Sequence, residues 1–126
     1  MDRKNISTGS KWEPIIGYSR AVRVGGQIFV SGTTGSDANG KVAGDTYQQT
    51  KQALANIAAA LAQAGATMEN VVRTRIFMTD ISQWELAGKA HGEVFGTIRP
   101  ATAMVQVAKL IDPAMLVEIE ADAVVA

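Results

Sequence analysis

From Leu116 to Val125 the chain alternates at a period of two, with Glu118, Glu120 and Asp122 on one side and Val117, Ile119, Ala121 and Ala123 on the other. An extended strand separates the two sets onto opposite faces. The acidic set cannot face a covered apolar core unpaired, so this strand belongs to a sheet with one packed face and one open face. Carboxylates at every second position lie roughly 7 Å apart along a strand and repel unless cations interleave.

The cations are supplied by a second run, Val71 to Met78, rich in β-branched residues. Its alternation puts Arg73, Arg75 and Phe77 on one side and Val72, Thr74, Ile76 and Met78 on the other. Arginines and carboxylates are therefore expected on the same open face, which reads as an oligomer interface with a charged cleft in it. The alternative is a solvated outer face whose surface ion pairs contribute little.

The remaining segments supply the rest of a small α+β domain. Ala21 to Thr33 is two β-rich runs around Gly25-Gly26, a hairpin. Asp37, Asn39 and Gly40 mark a turn, with Lys41 to Ala43 as a short edge strand. Asp45 or Thr46 caps a helix whose inward stripe is Tyr47, Leu54, Ile57, Ala58, Leu61 and Ala64, with Gly65 as the stop. Asp80 with Gln83 resembles a capping box opening a second helix from about Ile81 to Phe95. Gly96 to Pro100 breaks it, and Ala101 to Ala108 and Leu116 to Val125 are strands separated by the turn at Asp112-Pro113. The order is β-β-(β)-α-β-α-β-β: one mixed sheet with two helices on one face, in a single domain spanning residues 1–126.

Composition narrows the function. Twelve basic residues balance twelve acidic ones, so no net field attracts a polyanion, and no nucleic-acid partner is expected. There is no cysteine, which removes disulfides, thiolate metal sites and a cysteine nucleophile. A single histidine then leaves no metal constellation, and Gly35 to Gly40 lacks the lysine and hydroxyl spacing of a phosphate loop. His91 shares a helical face with Trp84, Ala87, Gly88 and Phe95 and reads as a packed residue. Met1 to Glu13 is polar, without the apolar core of a signal peptide, and no later run approaches membrane length. A cytoplasmic protein with no membrane partner is expected.

Several stretches together resemble the RidA family, also called YjgF or L-PSP: Gly17-Tyr18, Ile28-Phe-Val-Ser-Gly32, Val71-Val-Arg-Thr-Arg-Ile-Phe-Met-Thr-Asp80, Arg99-Pro-Ala-Thr102 and Val117-Glu-Ile-Glu-Ala121. The resemblance covers nearly the whole chain. It implies a chorismate-mutase-like fold assembled as a homotrimer, with clefts between neighbouring subunits. It also implies cofactor-free hydrolysis of reactive enamines and imines, the 2-imino acids, to keto acids and ammonia. By the same resemblance Glu118 is the catalytic carboxylate associated with water, and Tyr18 and Gly32 line the ligand.

One position departs from the pattern. The arginine that clamps the substrate carboxylate follows Pro-Ala in the archetypes, and here Pro100-Ala101 is followed by Thr102. A hydroxyl cannot replace a bidentate guanidinium. Arg75, by its parity, is the first candidate to replace it, Arg20 the second, and Arg99 a third. Two functions besides the deaminase stay open: a non-catalytic trimer that binds a small molecule, favoured by Thr102, and an RNA-cleaving or translation-inhibiting protein, disfavoured by the neutral charge.

Overall fold

The computed structural model describes residues 2–126; Met1, the first residue of the polar stretch, lies outside them. Among the described residues six strands form one sheet in the order β1-β2-β3-β6-β4-β5. They are β1 (Arg3–Ile6), β2 (Ala21–Val24), β3 (Gln27–Thr34), β4 (Val71–Met78), β5 (Ala101–Gln106) and β6 (Val117–Val124). All neighbouring pairs are antiparallel except β4 and β5. That parallel pair needs a crossover, and the second long helix supplies it.

The helices are α1 (Trp12–Ile16), α2 (Thr46–Gln63) and α3 (Trp84–Phe95). Asp45 caps α2 in a reciprocal box: its carboxylate accepts from the Gln48 N–H, and the Gln48 side chain accepts from the Asp45 N–H. Gly65, at φ 86°, turns the chain away at the other end. The long helices α2 and α3 pack together, and α2 lies on β3 and β6. Leu54, Ile57 and Leu61 of α2 meet Ile28, Ile76, Val117 and Ile119 of the sheet in one buried cluster.

β6 matches its pattern in full. Val117, Ile119, Ala121 and Ala123 are buried, whereas Glu118, Glu120 and Asp122 are half-buried on the open face.

Elsewhere the chain differs from the expectations. β1 and α1 have no counterpart among the expected elements: β1 is a polar edge strand in which only Ile6 is buried, and α1 is five residues long with Pro14 inside it. The Lys41–Ala43 edge strand reduces to one bridge, Ser36 with Val42. The Asp80 carboxylate accepts from the Ser82 N–H and opens a 3-10 turn over Ile81–Gln83, with α3 starting after it. Tyr47 and Ala58 flank the α2 interface while Gln49, Thr50, Ala53 and Ala60 fill it. Val72 is exposed, because a bulge between Val71 and Arg73 reverses the side it would otherwise face.

Candidate functional site

The site is built on an irregularity of β3. The register with β6 shifts between the pairs Val30↔Ala121 and Thr33↔Ile119, leaving Ser31 and Gly32 out of step. Such a bulge frees backbone groups from the ladder, and β2's leading loop collects them. The Ser31 N–H donates to Arg20 O at 3.0 Å, the Ser31 hydroxyl donates to Ser19 O at 2.6 Å, and the Thr33 hydroxyl donates to Ser31 O at 2.7 Å. Arg20 closes the arrangement, with Nη2 donating to Gly32 O at 3.0 Å and Nη1 to Thr33 Oγ1 at 3.4 Å.

Glu118 of β6 occupies the space left by the missing side chain of Gly32. A Cβ built there would stand 2.5 Å from Glu118 Oε1 and 2.9 Å from its Cδ. It is close approach, not backbone conformation, that glycine serves here, since it leaves the room the carboxyl group occupies. The half-buried position raises the pKa of Glu118: burial is the main cause, the nearby charge of Arg20 opposes it, and Glu120 adds to it. A carboxyl group tuned upward holds a proton more readily than an exposed one, which suits it to proton exchange with a reacting group.

Tyr18 completes this cluster, with the Arg20 guanidinium 5.5 Å from its ring centroid. It also lines an open concavity of about 800 Å³ together with Ser7, Ser10, Glu13, Ser19 and Ser31. The loop in front of it is held by Glu13, whose carboxylate accepts from Ser7 Oγ at 2.8 Å, Thr8 Oγ1 at 3.0 Å and the N–H of Ser10 at 3.3 Å. Burial works against the charged form of Glu13, but these hydrogen bonds outweigh it and its pKa is lowered. Its main-chain carbonyl accepts from the N–H groups of Gly17 and Tyr18. Glu13 thereby fixes the segment that presents Tyr18.

Four of the seven residues singled out in the sequence thus come together: Tyr18, Arg20, Gly32 and Glu118. The other three lie elsewhere in the chain, Arg99 exposed in the turn before β5. Arg75 is engaged with Glu120 at 3.5 Å and Asp122 at 3.3 Å, as an ion pair of the open face. Thr102 turns to the helix-facing side, where its Oγ1 is hydrogen-bonded to Thr74 Oγ1 at 2.7 Å. His91 packs as expected, its ring 4.6 Å from that of Phe95, and its Nε2 also reaches Thr74 Oγ1 at 2.9 Å. Sequence reasoning passed over Thr74, although a hydroxyl in an apolar layer signals a buried partner.

Among the described residues no group of three or more His, Asp or Glu side chains is placed to hold a metal ion, and no helix is long and apolar enough to cross a membrane.

A family model described as Endoribonuclease L-PSP matches residues 8–125. The fold is similar to that of a YjgF/YER057c/UK114 family member from Mycobacterium tuberculosis, 53% identical, with a TM-score of 0.92 over 98% of this chain and 100% of that one. It is also similar to the YjgF gene product of E. coli, 30% identical, with a TM-score of 0.86 over 96% of this chain and 98% of that one. In sequence it is 40% identical over 124 residues to the 2-iminobutanoate/2-iminopropanoate deaminase of Bos taurus, covering 97% of this chain and 90% of that protein.

Proposed function

Because the chain belongs to the endoribonuclease L-PSP family, also called YjgF or RidA, we propose that it hydrolyses the C=N bond of a small enamine or imine, releasing ammonia and a carbonyl compound. The observation that carries this reading is the carboxyl group of Glu118, seated against Gly32 and raised in pKa by burial. In its ionised form Glu118 takes a proton from water as the water oxygen attacks the imine carbon. That proton is returned to the nitrogen, giving a carbinolamine; Glu118 then takes the hydroxyl proton and passes it to the nitrogen, so that the C–N bond breaks, ammonia leaves and the carbonyl forms. Tyr18 offers its hydroxyl to the ligand, and the Arg20 charge restrains Glu118 from becoming wholly neutral. The bovine relative that carries the deaminase name supports the reaction class.

The assembly proposed with it is a homotrimer. Thr102 and Glu118 lie on opposite faces of the sheet in one chain, so a cleft that uses both is made between copies. The ion-paired face of Arg75, Glu120 and Asp122, with Phe29 and Val105 both about 45% exposed, is the surface such an assembly would cover.

The test is ammonia and keto-acid release from freshly generated 2-iminopropanoate. Turnover by the wild type, lost in Glu118→Gln, is the expected result; equal release by both would refute the role of Glu118. A second reading is favoured by Thr102, which brings no positive charge to the position of the carboxylate clamp: a trimer that binds a small molecule without turning it over. No turnover by the wild type of either 2-iminopropanoate or its amide, with activity appearing only in Thr102→Arg, would select it.

A further inference from the structure

Thr74, in the middle of β4, has no solvent exposure. A buried hydroxyl requires partners, and Thr74 has two, on two different elements: His91 of α3 and Thr102 of β5. The three side chains form a continuous line from a half-buried imidazole, through a fully buried hydroxyl, to an exposed residue on the edge strand of the sheet.

The protons along this line decide what its outer end offers. Each hydroxyl has one proton to donate. With a proton on His91 Nε2, the imidazole donates to Thr74, Thr74 donates to Thr102, and the proton of Thr102 is free to point outward. With Nε2 bare, Thr74 donates to the imidazole, Thr102 donates to Thr74, and only lone pairs face outward. The tautomer of one histidine therefore sets Thr102 as a donor or as an acceptor.

We propose that Thr102 determines substrate specificity as a neutral hydrogen-bond donor to an uncharged carbonyl or amide oxygen, with Thr74 and His91 as the positioning residues that aim its proton. The inference rests on the reading that the edge of β5 lines the cleft. Along β5 its neighbours Ala101 and Ala103 add no charge. His91 is held back from the cationic form by burial, so the line supplies a directed dipole without a countercharge. A carboxylate gains little from such a group, whereas a neutral acceptor needs nothing more. The substrate class is thus a C=N compound whose acid group is absent or masked as an amide or ester.

The chain has one histidine, so its imidazole nitrogen signals are read by NMR without overlap. Full-length protein labelled with 15N-histidine is titrated with pyruvamide and with pyruvate, an uncharged and a charged probe of one skeleton. Pyruvamide is expected to shift the Nε2 signal toward the protonated form and to bind about tenfold more tightly than pyruvate, the scale of one hydrogen bond. Thr74→Val, isosteric but without the hydroxyl, is expected to abolish the shift, and Thr74→Ser to restore it. Thr102→Arg is expected to reverse the preference toward pyruvate. An Nε2 signal unmoved by pyruvamide, or moved equally in Thr74→Val, overturns the proposal, as does tighter binding of pyruvate by the wild type. Because the readout is binding and tautomer, these shifts in a protein without turnover would refute hydrolysis alone. Turnover beside a silent imidazole would refute this inference alone.

Discussion

Adding one methyl group to Gly32 tests whether the seat of Glu118 governs the chemistry. The Cβ of Gly32→Ala would stand 2.5 Å from Oε1, 2.9 Å from Cδ and 3.2 Å from Cγ of Glu118. Reaching ordinary contact requires the carboxyl group to retreat by roughly 1 Å. What it meets is the end of a flexible, half-buried side chain, so the carboxyl group can move while the strands stay in place. An off-rotamer adjustment costs about 0.5–1.5 kcal/mol, and replacing glycine by alanine within a strand returns roughly 0.5–1 kcal/mol. The two nearly cancel, which leaves the melting temperature within about 4 °C of wild type for a domain of this size. Activity has no such compensation: a misplacement of about 1 Å lowers turnover about 100-fold. The assays are thermal denaturation, kcat/KM for ammonia release, and 13C NMR titration of the Glu118 carboxyl, whose pKa should fall back toward 4.5 as the group leaves its buried seat. Wild-type activity together with an unchanged Glu118 titration would refute the reasoning.

Three further outcomes are expected. Burial lets folded Glu118 keep its proton to a higher pH than the unfolded chain does, so its ionised form costs stability at neutral pH; Glu118→Gln should be inactive yet more heat-stable than wild type at pH 7, losing that advantage as the pH falls through the raised pKa and having none left by about 4.5. Glu13 has the opposite sign, since its lowered pKa gives stability that is present above 4.5 and lost as the pH drops; Glu13→Gln should cost about 1–3 kcal/mol in urea unfolding at pH 7, with the gap to wild type closing in acid. Arg75→Glu places a like charge beside Glu120 and Asp122; light scattering after gel filtration should show three chains per particle for wild type and one for the variant, and an unchanged mass would argue against that face as the interface.

The parts of the fold legible in the sequence were those in which a single periodicity runs unbroken. β6 alternates without interruption, and its two faces are where that alternation puts them. α2 announces itself through Asp45 and Gly65. β4 was legible only after its bulge, since one extra residue at Val72 cancels parity there, and no local signal marks it. β1 was hidden because Arg3, Lys4 and Asn5 are solvated on an edge and bury nothing that would impose a pattern. The candidate site was legible on the side of Tyr18, Arg20, Gly32 and Glu118. The bond from Thr74 to Thr102 was not, because it depends on β5 lying parallel to β4 in one register, with Thr74 beside Thr102. Strand order is a property of the whole chain that no stretch of it records.

The sheet order also has a consequence for how the protein is made. β6 is the last strand in sequence, yet it lies between β3 and β4 and joins the two halves of the sheet. A growing chain emerges with β3 and β4 already synthesised and nothing to connect them, so the central pairings wait for residues 117–124. Contacts this distant in sequence close slowly, and until they do two strand edges stay open to other chains. Glu118 travels on the strand that ends this wait. The reactive carboxyl group therefore reaches its seat in the same event that completes the sheet, and a nascent chain halted before residue 117 holds neither.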